Sequence, residues 1–234
     1  MIVEPFNIYL RSNNVDQNVI IKTFFEGGWI MYPILATSIA AVAVIVERIL
    51  WWSTESRKRD PDKLNKVYEA LEKNDLKVAS GLARTSEDAI LRVIWHGLNH
   101  HYASLEGALQ VAAGIEIERA GRFLVVMDTI VTLAPLLGLL GTVTGLMRAF
   151  FKLGNTELSE TAITGGIAEA LIATACGLAI AVVCLIALNY FSAKVAKFTF
   201  QLQNACTNTE ILVKSATLKT KGAPDNETSF AITA

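Results

Sequence analysis

Charged residues are scarce in this chain of 234 residues: they make up 18% of it, and the formal net charge is −1. Ordinary soluble domains carry about 25% charged residues. Hydrophobic residues supply 52% of the sequence, and the mean hydropathy is +0.40. These values indicate a membrane protein. They also argue against a nucleic-acid partner, because no basic stripe is present to neutralise phosphates.

Cysteine is also rare, with three residues, Cys176, Cys184 and Cys206. The first two lie within one apolar segment, roughly 12 Å apart along a helix axis. Disulfide-bonded Cα atoms lie within about 7 Å of each other, so these two cannot pair within that helix. We therefore expect reduced cysteines.

The N-terminal residues MIVEPFNIYLRSNN lack the basic start, the apolar run and the small-residue cleavage site of a signal peptide. We expect an uncleaved N-terminal segment over residues 1–28. Within it, residues 15–25 place apolar side chains on one broad helical stripe that is too short to cross a bilayer. They fit a periplasmic amphipathic helix at the membrane interface, with an ordinary disordered terminus as the alternative.

Groups for catalysis or metal binding are few. The run GTVTG at 141–145 lacks the lysine of a phosphate-binding loop, and no Ser-His-Asp or Cys-His site can be assembled from the helical segments. His96 with His100 or His101 could share one helix face, but the glutamate that HExxH chemistry needs is missing. Solvated or capping histidines are the favoured interpretation. We expect no enzyme, no cofactor and no metal site.

Three long apolar segments dominate the sequence, at 29–50, 123–151 and 163–191. As a helix, each is long enough to cross a hydrocarbon core of about 30 Å. Trp29 and Trp51 mark the two ends of the first segment, at the roughly 33 Å spacing of two aromatic belts. The predicted fold is all-α, with three transmembrane helices.

Lysine and arginine are concentrated in the polar stretch 53–122, which includes the basic run 57–59 directly after the first span. The positive-inside rule makes this stretch a cytoplasmic helical loop. It follows that 152–162 is a short periplasmic loop and that 192–234 is a cytoplasmic helix extension followed by a disordered tail. The N-terminus is then on the outer side of the membrane and the C-terminus is cytoplasmic.

Local signals in the cytoplasmic loop favour helices. Asp60 followed by Pro61 is a good N-cap and first-turn pair. Ser86 and Ser104 are the next candidate N-caps. No strong helix breaker follows Ser104, which predicts one long helix from residue 105 through the second span. The second and third transmembrane helices are thus expected to extend into the cytoplasm.

One carboxylate, Glu169, lies well inside the third apolar segment. A charged group at the centre of a membrane helix costs about 2.5–3.5 kcal/mol on insertion scales, and such a group normally faces a protein interior or a water pathway. Two interpretations stay open. Glu169 hydrogen-bonds a neighbouring helix near the membrane edge, or it titrates and passes a proton or another cation.

Thr142 and Thr174 are candidates for the same ion pathway, because a hydroxyl group both donates and accepts hydrogen bonds. Hydrogen bonding between helices is the alternative for each. Thr174 lies about 140° round the helix from Glu169, so one narrow channel cannot contain both side chains. A wide pore lined by several subunits can.

The second apolar segment carries polar and small residues on adjacent faces. Asp128 and Thr132 are secondary candidates for the ion pathway, although Asp128 is first of all an interfacial residue near the cytoplasmic end of its span. Pro135 follows on the same face. The neighbouring face carries small residues that let another helix approach closely: Gly138, Gly141 and Gly145. These long helices with small-residue faces favour assembly with further copies of the chain or with a partner.

Three runs of residues carry a family resemblance. They are GGWIMYPI at 27–34, with Glu47 and Arg48 after it, LAPLLGLLGTV at 133–143, and GIAEALIATA at 166–175. They resemble the signature segments of the MotA/TolQ/ExbB proton channel family, and of its ExbB and TolQ branch in particular. The resemblance extends from about Gly27 to Asn189.

The resemblance implies a subunit of the bacterial inner membrane, with a periplasmic N-terminus. It would couple proton-motive force to mechanical work on the cell envelope, in TonB-dependent transport or a Tol-type system. Copies of the chain would form a homo-oligomeric, pentameric ring around a dimer of a single-span ExbD/TolR-like partner, with a TonB/TolA-like protein beyond it. In such proteins the acid and the threonines that match Glu169, Thr142 and Thr174 line the ring interior. The partner supplies a carboxylate of its own.

Two positions depart from the family pattern. Thr144 stands where many members have tryptophan, and Val183 stands where many have proline. These departures affect the pore constriction and the kink of the third helix, and they leave the acid and the threonines in place. The sequence leaves proton and sodium open as the conducted ion. A non-conducting membrane scaffold and a sodium-driven stator for motility are the alternative functions.

Overall fold

The structure is a computed structural model. It describes residue 24 and residues 26–100, 104–153 and 160–221, with their side chains except at 152–153, 160–163 and 219–221. The interfacial helix predicted at 15–25 lies outside these residues apart from Phe24. The predicted C-terminal tail lies outside them from residue 222 onward.

The described part of the chain is all-α, as the sequence predicts. The helices that it contains are α1 (Met31–Arg57), α2 (Pro61–Glu72), α3 (Leu76–Arg84), α4 (Ala89–Asn99), α5 (Leu105–Gly121), α6 (Leu124–Leu153) and α7 (Glu160–Lys221). Among the described residues there is no strand. Helix α7 alone is 62 residues long.

Three helical stretches are long and apolar enough to cross a membrane. They are Met31–Arg57, Leu105–Phe151 and Thr164–Leu218. By length and composition, the three predicted membrane-capable segments are confirmed. The chain is an integral membrane protein.

The second stretch is not one uninterrupted helix, and that prediction was wrong. Helix α5 ends at Gly121, residues 122 and 123 form a turn, and α6 begins at Leu124. Phe123 takes a left-handed backbone conformation, with φ at 66°, which a right-handed helix does not admit. Gly121 was the available signal, because glycine is common at helix ends.

The chain divides into two compact units. The first consists of Met1–Val46 and Val125–Leu188, and the second of Glu47–Leu124 and Asn189–Ala234. Helices α1 and α7 each contribute to both units. The first unit contains the apolar part of the chain and the candidate site.

In the first unit the start of α1 packs against α7. Ile30, Met31 and Ile34 are buried together with Ala173 of α7, and Leu137 of α6 packs against them. Within a membrane such contacts are stabilised by close packing, because lipid tails are as apolar as the side chains themselves.

The second unit contains α2 to α5 and the ends of α1 and α7. Two of the predicted helix starts are confirmed there. The Asp60 carboxylate accepts a hydrogen bond from the backbone N–H of Lys63 at 3.0 Å, with Pro61 in the first turn. The Ser104 hydroxyl accepts from the backbone N–H of Gly107 at 3.2 Å and caps α5.

The cap of α4 differs from the prediction. Asp88, and not Ser86, is its N-cap, and the Asp88 carboxylate accepts from the backbone N–H of Ile90 at 2.9 Å. Ser86 lies two residues before this N-cap, and its hydroxyl accepts a hydrogen bond from the backbone N–H of Asp88 at 3.2 Å. An aspartate also caps α3, at Asp75, a helix start that we did not predict.

Two arginines organise the buried charges of the second unit. Arg48 is 1% exposed; it bonds Glu47 at 2.6 and 2.8 Å and donates to the carbonyl oxygen of Ala120 at 3.2 Å. Arg92 lies 2.9 Å from the Glu116 carboxylate. Burial alone would lower the pKa of Arg92, but the hydrogen bond and the charge of Glu116 raise that pKa above its usual value. Arg92 therefore stays charged.

Candidate functional site

The close approach between α6 and α7 positions the candidate site. A Cβ atom at Gly145 would lie 2.9 Å from the carbonyl oxygen of Gly166, and one at Gly138 would lie 3.0 Å from the Cα of Thr174. At Gly141 an added Cβ would overlap Ala173. The small-residue face of α6 is therefore occupied by α7 of the same chain, in a packing that larger side chains would prevent.

Glu169 forms an ion pair with an arginine that the sequence analysis missed. One of its carboxylate oxygens, Oε1, lies 2.8 Å from Nη1 of Arg148 on α6. The Glu169 side chain is 16% exposed and the Arg148 side chain 46%. The sequence did contain a signal for Arg148. An acid within a membrane helix needs a partner, and Arg148 is the single basic residue in the second apolar segment, 123–151.

A glycine covers the same carboxylate from another side. Gly28 lies in the turn before α1 with φ at 71°, a conformation that glycine adopts without strain. A Cβ atom there would overlap Oε1 of Glu169 and would lie 3.3 Å from Nη1 of Arg148. The carboxylate is thus held between the Gly28 backbone and the Arg148 guanidinium.

Thr174 connects the two packed helices. Its hydroxyl group lies within hydrogen-bond distance of the carbonyl oxygens of Gly138, at 3.2 Å, and Ala170, at 3.0 Å. The Thr142 hydroxyl donates to the carbonyl oxygen of Leu139 at 2.7 Å. Within the described part of the chain, neither threonine hydrogen-bonds Glu169. The structure of one chain therefore leaves the three predicted pathway residues at separate places along the α6–α7 pair.

Comparison with known proteins identifies the family of the chain. The model of the MotA/TolQ/ExbB proton channel family matches residues 83–204. The chain belongs to this family. The matched residues include Glu169, Arg148 and both threonines, whereas Gly28 precedes them. The MotA/TolQ/ExbB family is one of channel proteins and not of enzymes.

Two similar relatives come from Synechocystis sp. A putative biopolymer transport protein ExbB-like 3 is 35% identical over 70% of this chain and 81% of its own length. A putative biopolymer transport protein ExbB-like 1 is 36% identical over 71% of this chain and 68% of its own length. The Tol-Pal system protein TolQ of Haemophilus influenzae is 30% identical over 81% of this chain and 84% of its own length. This member of the MotA/TolQ/ExbB family is thus similar to both ExbB-like and TolQ proteins.

The secondary pathway candidates lie on the exposed side of α6 in this family member. Asp128 and Thr132 are both exposed. The Thr132 hydroxyl donates to the carbonyl oxygen of Thr129 at 2.9 Å. Pro135 lies inside α6, where it removes one backbone donor from the helix. None of the contacts of the Glu169 site described above involves these residues.

The histidines lie in the second unit, at the end of α4. The rings of His96 and His100 are stacked with centroids 5.7 Å apart, and His100 is the C-cap of α4. His101 lies outside the described residues. Among the residues that the structure describes, no group of three His, Cys, Asp or Glu side chains could hold a metal ion.

Proposed function

We propose that this chain is a proton-conducting stator subunit of an ExbB/TolQ-like inner-membrane motor, which couples proton-motive force to work on the cell envelope. Glu169 is the proposed proton-carrying group, and Thr142 and Thr174 line the same pathway. Asp128 and Thr132 are proposed as secondary residues near its cytoplasmic end. Membership of the proton channel family supports this role.

The observation that carries the proposal is the position of Glu169. A carboxylate within an apolar membrane helix costs about 2.5–3.5 kcal/mol on insertion scales, and such groups normally mark an ion pathway. The Glu169 side chain on α7 is 16% exposed. The carboxylate is therefore partly accessible to an ion, while its ion pair with Arg148 fixes its position.

The proposed assembly is a homopentamer around a dimer of a single-span ExbD/TolR-like protein, with a TonB/TolA-like protein beyond it. The relatives include biopolymer transport proteins and a Tol-Pal system protein, which supports an envelope process as the load. Large apolar side chains are exposed on both packed helices, including Phe150 on α6 and Leu171 on α7. They offer surface for neighbouring subunits and lipid. The proposed topology has a periplasmic N-terminus and a cytoplasmic C-terminus.

One contact favours a second candidate function. The ion pair between Glu169 and Arg148 would also serve a non-conducting scaffold, in which polar side chains only hold helices together. In such a scaffold Glu169 needs only a hydrogen-bonding partner and does not bind a conducted ion. The two candidates differ in what a neutral amide at this position does.

Substitution Glu169→Gln in the full chain separates the two functions. The amide keeps an oxygen that accepts a hydrogen bond from Arg148 but cannot carry a proton. We expect normal assembly with the native partner and loss of the activity that depends on proton-motive force, measured by complementation of a deletion strain. The matched control is Glu210→Gln, because Glu210 also lies on α7 and is also ion-paired, with Lys214. Full complementation by Glu169→Gln would leave the scaffold as the better account.

A further inference from the structure

Arg148 is the single lysine or arginine among the side chains that the structure describes in the first unit. It lies on α6, opposite Glu169 of α7, with its guanidinium 2.8 Å from the carboxylate. An arginine in this apolar environment carries a cost of about the same size as that of the acid. Nothing in the proposed proton transfer by Glu169 requires a fixed positive charge, so Arg148 needs an explanation of its own.

We propose that Arg148 makes the Glu169 site selective for protons against alkali-metal cations. This inference rests on the proposed function, because it assumes that Glu169 carries the conducted ion. Arg148 then determines which ion the site accepts, a role that proton conduction by Glu169 alone does not require.

A metal ion at Glu169 would need oxygen ligands beside the carboxylate. A metal cation leaves water only when oxygen ligands replace its hydration shell. Oε1 of Glu169 is bonded to Arg148 on one side and closely covered by the Gly28 backbone on another. Neither of the two pathway threonines hydrogen-bonds Glu169, and each hydroxyl is bonded to backbone carbonyls instead. The described contacts of Oε1 are therefore with a guanidinium and a glycine backbone, and they include no threonine oxygen.

A proton and a sodium ion differ in the ligands that they need. Each adds one positive charge beside the Arg148 guanidinium, so repulsion from the guanidinium opposes both. A proton forms a covalent bond to one carboxylate oxygen and needs no cleared coordination shell. A sodium ion needs several oxygen ligands, and an N–H group of the guanidinium already occupies Oε1 of Glu169. The guanidinium therefore opposes a metal ion more strongly than a proton.

Without the guanidinium, Glu169 becomes an unpaired carboxylate with the volume of the guanidinium open beside it. Carboxylate oxygens with water are ordinary ligands for hard cations. A neutral residue at position 148 should therefore admit sodium to a site that previously took only protons.

The test compares ion fluxes through the native complex, purified with its co-expressed single-span partner and reconstituted in liposomes. Proton flux is followed with an enclosed pH dye and sodium flux with sodium-22, under equal driving forces. The variants are Arg148→Gln and Arg148→Met, with Arg148→Lys as the conservative variant. Met147→Gln is the matched control, because Met147 is exposed on the same helix and lies next to the arginine in sequence.

We expect the native complex and Met147→Gln to conduct protons without measurable sodium flux. Arg148→Gln and Arg148→Met should lower the ratio of proton to sodium flux by about tenfold or more, and Arg148→Lys should restore most of it. An unchanged ratio in the neutral variants would overturn the inference. Failure of both neutral variants to assemble, with Glu169→Gln assembling normally, would also overturn it, since Arg148 would then be a structural residue.

The variant Glu169→Gln in the same assay separates this inference from the proposed function. If Glu169→Gln abolishes flux and the Arg148 variants keep native selectivity, only the role of Arg148 fails. If Glu169→Gln conducts protons like the native complex, the proposed function fails whatever the Arg148 variants do.

Discussion

At the scale of single residues, Gly28 satisfies two requirements at once. Its φ of 71° is a conformation that costs other residues about 1–2 kcal/mol. Its missing side chain also leaves the room that the Glu169 carboxylate occupies. These two features together fix the distance between the turn before α1 and the proposed proton-carrying group.

Substitution Gly28→Ala is expected to impair both folding and function. The backbone strain should lower the free energy of unfolding by about 1 kcal/mol or more, and the new methyl group should displace Glu169 and reduce proton-dependent activity. Thermal unfolding in detergent and complementation measure the two effects. Gly165→Ala is the control, because an added Cβ there meets nothing within 4 Å; equal behaviour of the two variants would contradict the described site.

The sequence identifies Glu169 as a candidate site residue but does not predict which groups surround it. One acid in an apolar helix is visible from composition alone. Its pairing with Arg148 depends on which residues of α6 and α7 meet, and that register follows from the close approach of Gly145 to Gly166. Small residues predict that a helix approaches, but not which helix it is.

At the scale of elements, Arg48 connects the end of α5 to α1 within the second unit. Its guanidinium donates to the carbonyl oxygens of Arg119, at 3.4 Å, and Ala120, at 3.2 Å. Both are among the last carbonyls of α5, which lack the usual partner four residues ahead, and the Arg119 carbonyl also accepts from the backbone N–H of Arg122 at 3.4 Å. The same guanidinium lies over the rings of Trp51 and Phe123, at 5.1 and 5.6 Å from their centroids. Arg48 thereby holds the turn at which the predicted long helix is interrupted.

Substitution Arg48→Met should destabilise the second unit by about 2–4 kcal/mol, because it removes the charge-assisted hydrogen bonds to the end of α5, including the one to the buried carbonyl group of Ala120. Arg48→Lys should recover only part of this loss, since an ammonium group lacks the planar fork of a guanidinium. The free energy of unfolding in detergent is the measurement. Arg57→Met, an exposed arginine on the same helix, should change it by less than about 0.5 kcal/mol. Equal effects at 48 and 57 would refute the role of Arg48.

Helix starts were easier to predict than helix ends. Asp60 with Pro61 is a strong local signal, and the start of α2 follows it. Asp88 was missed because Ser86, two residues earlier, has equal capping propensity, and the choice between them depends on tertiary contacts. Asp88 also accepts from the backbone N–H of Asp60 at 2.9 Å, a contact between helices that sequence alone does not reveal.

At the scale of the whole molecule, the first unit exposes apolar side chains on several helices. Val143 of α6, Leu178 of α7 and Ile39 of α1 are each at least half exposed. Such surfaces are compatible with lipid and with other subunits alike. The sequence predicts the three spans because length and hydropathy suffice for that, but the number of subunits depends on surface shape and is not encoded in hydropathy.

The proposed ring predicts the mass of the native assembly. Native mass spectrometry of the complex released from membranes should give five times the 25.4 kDa of the chain plus twice the mass of the single-span partner. Glu169→Gln should give the same mass, because an amide preserves the contact with Arg148. A complex with a different number of chains would contradict the pentamer and would leave the ion pathway of Glu169 to be judged separately.

The central claim is that Glu169 carries protons across the membrane, and proton flux through the reconstituted native complex tests it most directly. With a potassium diffusion potential across liposomes, the account predicts a proton flux in the native complex and in Glu210→Gln, and a flux no greater than that of empty liposomes in Glu169→Gln. Equal proton flux in the native and Glu169→Gln complexes would contradict the account.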